Sequence, residues 1–489
     1  MAHKTTSAST LPPGAGSRAA PSEGRTVIVG LGKTGLSSAR FLARRGVPVL
    51  VTDSRLQPPG LHELQQELPE VPVSLGGFNN EALLRADQIL ISPGVWLREP
   101  AVAAAVARGT PVIGDIELFA RYARAPVIAI TGANGKSTVT TLVGAMAARA
   151  GLDVRVGGNL GTPALDLLKD IEPDLYVLEL SSFQLETTRS LDAAAGVVLN
   201  ISPDHMDRYS DLSDYARAKQ RVYRGHGVMV INRDDPLVNA MSKDAQVSRG
   251  QDVQERPMTE PDRRQLGFTL DSPHGDDFGL VEHDGEVWLS HGARHLIAVR
   301  EVRIQGSHNI ANALAALALG HAMGIPLAAM LDTLREFPGL PHRSQWVAEQ
   351  NGVRWVNDSK GTNVGATIAA LQGLAATLGD GRIVLIAGGE GKDADFTVLR
   401  APVYAHARAV VLIGRDASLI ESALKDCAFI SRATDMKDAV KQAARLTQPG
   451  DAVLLSPACA SFDMYSGYAE RGQVFMDEVA GYLESGRRD

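Results

Sequence analysis

A chain of 489 residues, 44% apolar and 21% charged, has an ordinary globular composition and the length of about three domains of roughly 150 residues each. Its formal charge of −7 excludes the basic face that nucleic acid would require, and no apolar run reaches the roughly 18 residues of a membrane helix. Its two cysteines, Cys427 and Cys459, are too few for a disulfide framework; neither lies in a CxxC pair or beside a histidine, so both are expected as small buried hydrophobes.

Residues 1–24 lack the apolar stretch of a signal peptide and are rich in Ser, Ala, Pro and Gly, which predicts a disordered tail on a cytoplasmic protein. Beyond it, short Val/Ile-rich runs alternate with longer helical patterns, the signature of βα units around a parallel sheet. The pattern predicts a strand over 26–30, a helix over 36–45, a second strand ending at Asp53, and a further strand running to the turn Ser92, Pro93, Gly94. A second series of strands is expected at 126–131, 176–180, 196–200 and 228–232. Between about 251 and 298 the polar, Gly- and Asp-rich segments with short alternating runs predict a small antiparallel elaboration. A third series falls at 382–386, 409–413 and 452–455. The expected fold class is therefore α/β in three domains. A Rossmann-like domain would span 25–114, a P-loop-type central domain with parallel sheet and small antiparallel part 115–339, and a Rossmann-like C-terminal domain 340–489.

Two glycine-rich loops carry the chemistry. Gly30, Gly32 and Gly35 follow the first strand, with Asp53 closing the next; such a turn lets backbone N–H groups approach a pyrophosphate at a helix N-terminus. On its own this arrangement suits a dinucleotide dehydrogenase. The second loop, TGANGKST over 131–138, also follows an apolar strand and opens a helical pattern over 139–149. There Gly132, Ala133, Asn134 and Gly135 can cradle phosphates, Lys136 can reach the terminal phosphates, and Ser137 or Thr138 can hold Mg²⁺. Its spacing departs from GxxxxGK[ST], because Ile130 stands at the position of the first glycine. Hydride transfer has no need of this second loop, whereas ATP-driven activation of a nucleotide-linked substrate needs both.

With both loops placed, the chain resembles the Mur ligase family from about residue 25 to its end. The resemblance rests on ITGANGKST over 130–138, LELSSFQLE over 178–186, DHMDRY over 204–209, LPHR over 340–343, NDSKGTN over 357–363 and LSPACAS over 455–461. It implies a monomeric enzyme whose successive domains bind a UDP-sugar, ATP and an incoming amino acid. The implied substrates are UDP-N-acetylmuramoyl-L-alanine, D-glutamate and ATP, joined through an acyl phosphate. A related ligase using another amino acid, such as L-glutamate, is the alternative.

The resemblance also implies roles. Glu179, with Ser137 or Thr138, would hold one Mg²⁺, and His205 would help hold a second. Lys219, in ARAKQRVY over 216–223, has the look of a solvated helical lysine, yet by resemblance it is carbamylated by CO₂ and becomes an anionic metal ligand. Lys136, Glu179, His205 and Lys219 form the implied catalytic set. Lys33, Thr34, Asp53, Ser54, Arg55, Gly94, Asn159 and Ser181 would contact the UDP-substrate. Asn309, Asn312, Arg343 and Asp358 match nucleotide-binding positions, with His342 at their border. Thr362, Lys392 and Ser461 would take the amino acid, with Phe462 and Tyr468 flanking them; Asp463 and Arg471 read as structural. The segment ASFDMYSGY over 460–468 departs from the family pattern in Phe462, Tyr468 and the pair Ser466, Gly467, and Glu390 stands where Asp is usual. The variation thus falls on the amine-donor pocket.

Overall fold

A computed structural model describes residues 25–247, 263–304 and 306–485; the tail over 1–24 and the first part of the stretch 251–298 lie outside the described residues. The chain divides into two compact units, one ending at Tyr122 and the other starting at Ala123.

In the first unit, β1 (Thr26–Val29), β2 (Val49–Asp53), β3 (Val73–Leu75), β4 (Gln88–Ile91) and β5 (Val112–Ile113) form a sheet in the order β3-β2-β1-β4-β5. Every pairing is parallel, which is the Rossmann arrangement. The first helix runs over Lys33–Ala43, starting ahead of the predicted 36 because its first turn is polar and half exposed while the apolar stripe begins at Leu36. Its loop requires glycine: Gly30 has φ +92°, and a Cβ at Gly35 would lie 2.0 Å from the Gly30 carbonyl oxygen.

The second unit contains two sheets. Its central sheet comprises β6 (Val127–Thr131), β7 (Val154–Gly158), β8 (Leu175–Glu179), β9 (Ala195–Val198), β10 (Val228–Asn232), β11 (Gln265–Phe268), β12 (Phe278–His283), β13 (Glu286–His291) and β14 (Arg294–Ala298). The order is β14-β13-β12-β11-β10-β9-β6-β8-β7. Strands β6 to β11 pair in parallel, and β12, β13 and β14 pair antiparallel, as the alternating runs of that segment predict. From β6 the chain crosses to β7 and β8 on one side and then returns to β9 on the other. The C-terminal end of β6 is therefore a topological switch point, where open α/β sheets bind ligands. The helices Lys136–Arg149 and Ser307–Ala322 share the core beneath this sheet.

The last sheet holds β15 (Gln345–Gln350), β16 (Val353–Asn357), β17 (Ile383–Gly388), β18 (Ala407–Ile413), β19 (Phe429–Arg432) and β20 (Ala452–Leu455), in the order β15-β16-β20-β17-β18-β19. All pairs are parallel except β15 with β16. Ile383, Leu385 and Ala387 of β17 point into one core and Val384 and Ile386 into another. A strand covered on both faces needs apolar residues at every position, and hence reads as an unbroken run. Cys459 is buried as expected; Cys427 is only half buried, since it follows the end of a surface helix. No described helix is long and apolar enough to cross a membrane.

Gly388 closes β17 with φ +122°, and a Cβ there would lie 1.9 Å from the Ile413 carbonyl oxygen. Gly388→Ala should destabilise the second unit by about 2–4 kcal/mol, read as a lowered melting temperature. Gly379→Ala, at φ +60° with open space around it, should cost about 1 kcal/mol.

Candidate active site

The site grows from the ends of three neighbouring strands. Beyond β6 the backbone turns through Gly132 (φ +150°) and Gly135 (φ +82°), so that the helix Lys136–Arg149 starts with its N–H groups facing the loop. A Cβ at Gly135 would lie 2.3 Å from Asn312 Oδ1, which shows how closely the helix Ser307–Ala322 approaches. Asn200, just past β9, clamps the loop. Its carbonyl accepts from Ala133 N–H (2.9 Å), its Oδ1 accepts from Asn134 N–H (2.8 Å), and its Nδ2 donates to the Asn134 carbonyl (3.1 Å). Lys136 Nζ donates to the carbonyls of Gly132 and Ala133, each at 2.9 Å.

A second ammonium converges on the same loop. Lys219, on the helix Leu212–Gln220, is 1% exposed and donates from Nζ to the Gly132 carbonyl at 2.9 Å. Burial, then the charge of Lys136, pushes its pKa well below the ordinary lysine value. Glu179 ends β8 and is buried; its Oε1 accepts from Asn159 Nδ2 at 2.6 Å. Its Oε2 finds no hydrogen-bond partner among the described residues. An unpaired buried carboxylate oxygen is costly, and a cation is the partner it suits. His205, beyond β9 with φ +59°, is held by burial at a pKa of about 4, so its imidazole is neutral and able to act as a ligand. Lys136, Ser137, Glu179, His205 and Lys219 all line one cavity of about 480 Å³, whose mixture of carboxylate, hydroxyl and imidazole donors fits divalent metal. Thr138 instead lines a neighbouring cavity of about 140 Å³, together with Asn309, Asn312, Arg343 and Asp358.

The last sheet closes the larger cavity from the opposite side, where Thr362, Lys392, Ser461, Phe462 and Tyr468 line it; Phe462 remains 72% exposed. Lys392 Nζ forms an ion pair with Asp204 Oδ1 at 2.7 Å. Burial, the largest single influence, would raise the Asp204 pKa, but the charge of Lys392 together with hydrogen bonds from Lys392 and Asn363 and the neighbouring His205 outweighs it and holds the pKa at about 2. Asn363 Nδ2 donates to Asn134 Oδ1 (3.1 Å) and to Asp204 Oδ2 (3.2 Å), linking phosphate loop, acid and last sheet. Arg343 donates to Ser137 Oγ at 2.7 Å. Asp358 is raised to about 6 by burial while accepting from Ser456 Oγ (2.7 Å) and Ser344 N–H (3.1 Å). His342 lines neither cavity; its Nδ1 lies 3.0 Å from Asn357 Nδ2. Sequence reasoning missed Asp204, Asn363, Asn200 and Lys360 as site residues. Three of them lay within the quoted motifs, but nothing local tells that Asp204 and Lys392 meet across 188 residues. Lys360 lines both cavities, and burial, then Arg343 and Lys136, lowers it to about 8.

The expected UDP-substrate residues are divided between the units. In the first, Lys33 and Thr34 open the first helix, exposed Gly94 lies beyond β4, and Ser54 and Arg55 follow β2. Asp53 accepts from Leu31 N–H at 2.7 Å and is paired with Arg55 at 2.7 Å; these contacts outweigh burial and lower its pKa. Asn159 and Ser181 belong to the second unit and line its larger cavity, with Ser181 and Gln184 forming a capping box on the helix Ser182–Glu186.

Arg471, 1% exposed, donates to Ser359 Oγ (3.0 Å) and to the carbonyls of Ser359 (2.9 Å), Cys459 (3.1 Å) and Ala460 (3.3 Å). It thus ties together the two loops that present Thr362 and Ser461, the structural part expected of it, while Asp463 accepts from Arg415 N–H at 2.9 Å. Arg471→Met should leave those carbonyls unpaired, destabilise the protein by about 3 kcal/mol and lower its melting temperature.

Comparison with known proteins shows where the chain belongs. Residues 24–114 match the family described as Mur ligase MurD-like, N-terminal domain; residues 130–320 match the Mur ligase middle domain; residues 342–459 match the Mur ligase, glutamate ligase domain. The UDP-N-acetylmuramoylalanine--D-glutamate ligase of Nitrosococcus oceani is 57% identical over 458 residues, covering 94% of this chain and 97% of its own. The enzyme of the same name from Pseudomonas aeruginosa is 51% identical, covering 93% and 97%. In fold, the chain is similar to UDP-N-acetylmuramate-alanine ligase from Thermotoga maritima (TM-score 0.57, 18% identity, covering 94% of this chain and 100% of that one). It is likewise similar to a pseudomurein peptide ligase type C from Methanothermus fervidus (TM-score 0.55, 16% identity, covering 93% and 100%). With its three domain types matched in order and relatives more than half identical along nearly its whole length, the chain belongs to the Mur ligase family.

Proposed function

We propose that this protein joins D-glutamate to UDP-N-acetylmuramoyl-L-alanine, consuming ATP and releasing ADP and phosphate, in the synthesis of peptidoglycan precursors. One observation carries the reading: the phosphate loop, Glu179, His205 and Lys219 share a cavity with Thr362, Lys392 and Ser461. Activated carboxylate and incoming amine could meet there. The names of the relatives support D-glutamate as the amine donor.

In this mechanism the alanyl carboxylate oxygen attacks the γ-phosphorus of ATP and ADP leaves. The deprotonated amine of D-glutamate then attacks the carbonyl carbon of the acyl phosphate, and phosphate departs. Both steps gather negative charge on phosphoryl oxygens, so preorganised cations and N–H groups supply most of the stabilisation. Gly132, Ala133, Asn134, Gly135 and the helix N-terminus hold the phosphates with Lys136, Ser137 and Thr138. Asn309, Asn312, Arg343 and Asp358 hold the rest of the nucleotide, with Lys360 as a further cation. Lys33, Thr34, Asp53, Ser54, Arg55 and Gly94, with Asn159 and Ser181, take the UDP-substrate; Lys392 receives a glutamate carboxylate beside Thr362, Ser461, Phe462 and Tyr468. Two Mg²⁺ ions, held by Ser137, Glu179, His205 and carbamylated Lys219, would neutralise charge on the phosphoryl and acyl oxygens.

The burial of Lys219 supports its carbamylation. Burial and the charge of Lys136 lower the Lys219 pKa, which favours the free amine; that amine can add its nitrogen to CO₂ and release a proton, which would put an anionic oxygen donor in place of a second crowded cation. Lys219→Ala should lower turnover by at least about 100-fold, and short carboxylates should restore part of it. Carbon-13 bicarbonate should give a carbamate resonance in the native protein that disappears in this variant. The primary test is phosphate release from ATP with UDP-N-acetylmuramoyl-L-alanine and either D- or L-glutamate. Turnover with the D-isomer alone is expected; turnover with the L-isomer would move the specificity to another amine, and none with either would overturn the assignment.

A further inference from the structure

Away from the active site, Asp276, His291 and His321 converge from separate elements of the central sheet region. Asp276 precedes β12, His291 ends β13, and His321 lies in the last turn of the helix Ser307–Ala322. Their potential ligand atoms all lie within 4.8 Å of one another. We propose that Asp276, His291 and His321 form a binding site for a zinc-class divalent metal, which would staple the antiparallel elaboration to the helix Ser307–Ala322.

The geometry is held from several sides. Phe278 stacks on His291 with ring centroids 4.4 Å apart and planes 7° from parallel, which fixes the imidazole. The rings of His291 and His321 are 4.6 Å apart. Gly292 (φ +51°) would place a Cβ 2.6 Å from the Gly275 carbonyl oxygen, so the loop bearing Asp276 is pressed against the end of β13. Two imidazoles and a carboxylate, with water completing the shell, form a common zinc donor set. A tetrahedron with bonds of about 2.0–2.1 Å has edges of about 3.3–3.4 Å, so the cluster must tighten modestly. Asp276 is 65% exposed, so its side chain has room to move. The C-terminal end of the helix adds partial negative charge beside His321.

A cationic side chain already lies beside the cluster. The guanidinium of Arg264 lies 3.3 Å from His321 Nε2 and 3.9 Å from Asp276 Oδ2, while His291 Nε2 pairs with Asp276 Oδ1 at 2.8 Å. Arg264 is 52% exposed and can swing into solvent, and the metal would replace the proton on His291 Nε2, which passes to water. The staple joins β13 to the helix whose opposite end carries Asn309 and Asn312.

The test is calorimetric titration of Zn²⁺ into the full, untagged chain with Mg²⁺ in excess, so that hard oxygen sites elsewhere stay filled. The native protein is expected to bind one more equivalent than His291→Gln, His321→Gln or Asp276→Asn, and Co²⁺ at the site should give a visible spectrum that these variants lose. Asp276→Asn alters an exposed side chain, so its melting temperature in chelator should match that of the native protein and its loss of metal cannot be ascribed to unfolding. Arg264→Met should tighten binding at least threefold. Equal stoichiometry in the native protein and Asp276→Asn would overturn the site, and unchanged affinity in Arg264→Met would overturn the competing role of the guanidinium.

Discussion

The backbone carbonyl of Gly132 receives two lysines, and most of the chemistry of the second unit depends on that concentration of positive charge. Lys136 and Lys219 both donate to it at 2.9 Å, and Arg343, Lys360 and Lys392 line the same cavity. Glu179 and Asp204 are the carboxylates whose charges act on Lys136, and Asp204 is already committed to Lys392. Burial lowers the pKa values of Lys136, Lys219, Lys360 and Arg343 together, a sign of strained electrostatics. Phosphate groups are additions that would relieve it. Such crowding of like charge is common where function sets the charge.

The fold places this charge at low structural cost. Strands β6, β8 and β9 lie side by side, and each delivers its groups from its C-terminal end: the glycine loop, Glu179, and Asn200 through His205. Because these strands are covered on both faces, their register is fixed by packing, so the ends on which the functional groups sit are fixed as well. Asn363 and Arg471 extend that precision to the last sheet through hydrogen bonds rather than apolar contact.

Legibility in the sequence followed burial. The runs at β6, β8, β9, β10, β17, β18 and β20 stood out because continuous apolar residues mark doubly covered strands. By contrast β7, with the sequence VRVGG, the half-exposed β15, and β16, whose run is broken by Arg354, carry no such signal. The phosphate loop was legible because its glycines and lysine are contiguous. Lys219 was not: on its helix it has the look of any solvated lysine, and its burial under Tyr215 and the Gly132 carbonyl is a tertiary fact. The pair Asp204 and Lys392, the clamp by Asn200 and the Asn363 bridge escaped for the same reason, because local patterns do not report partners far along the chain.

The pairing of Lys392 with Asp204 has one more consequence. Any free carboxylate that takes Lys392 must first displace an aspartate tethered 2.7 Å away, whose effective concentration greatly exceeds that of a dissolved metabolite. If Lys392 receives the substrate carboxylate as proposed, Asp204 would act as a tethered competitor that a monocarboxylate would have to displace. Under the proposed function, a ligand offering a second anchor to Ser461 or Thr362 would hold the advantage, and selectivity would arise as much from the rival built into the site as from the shape of the pocket.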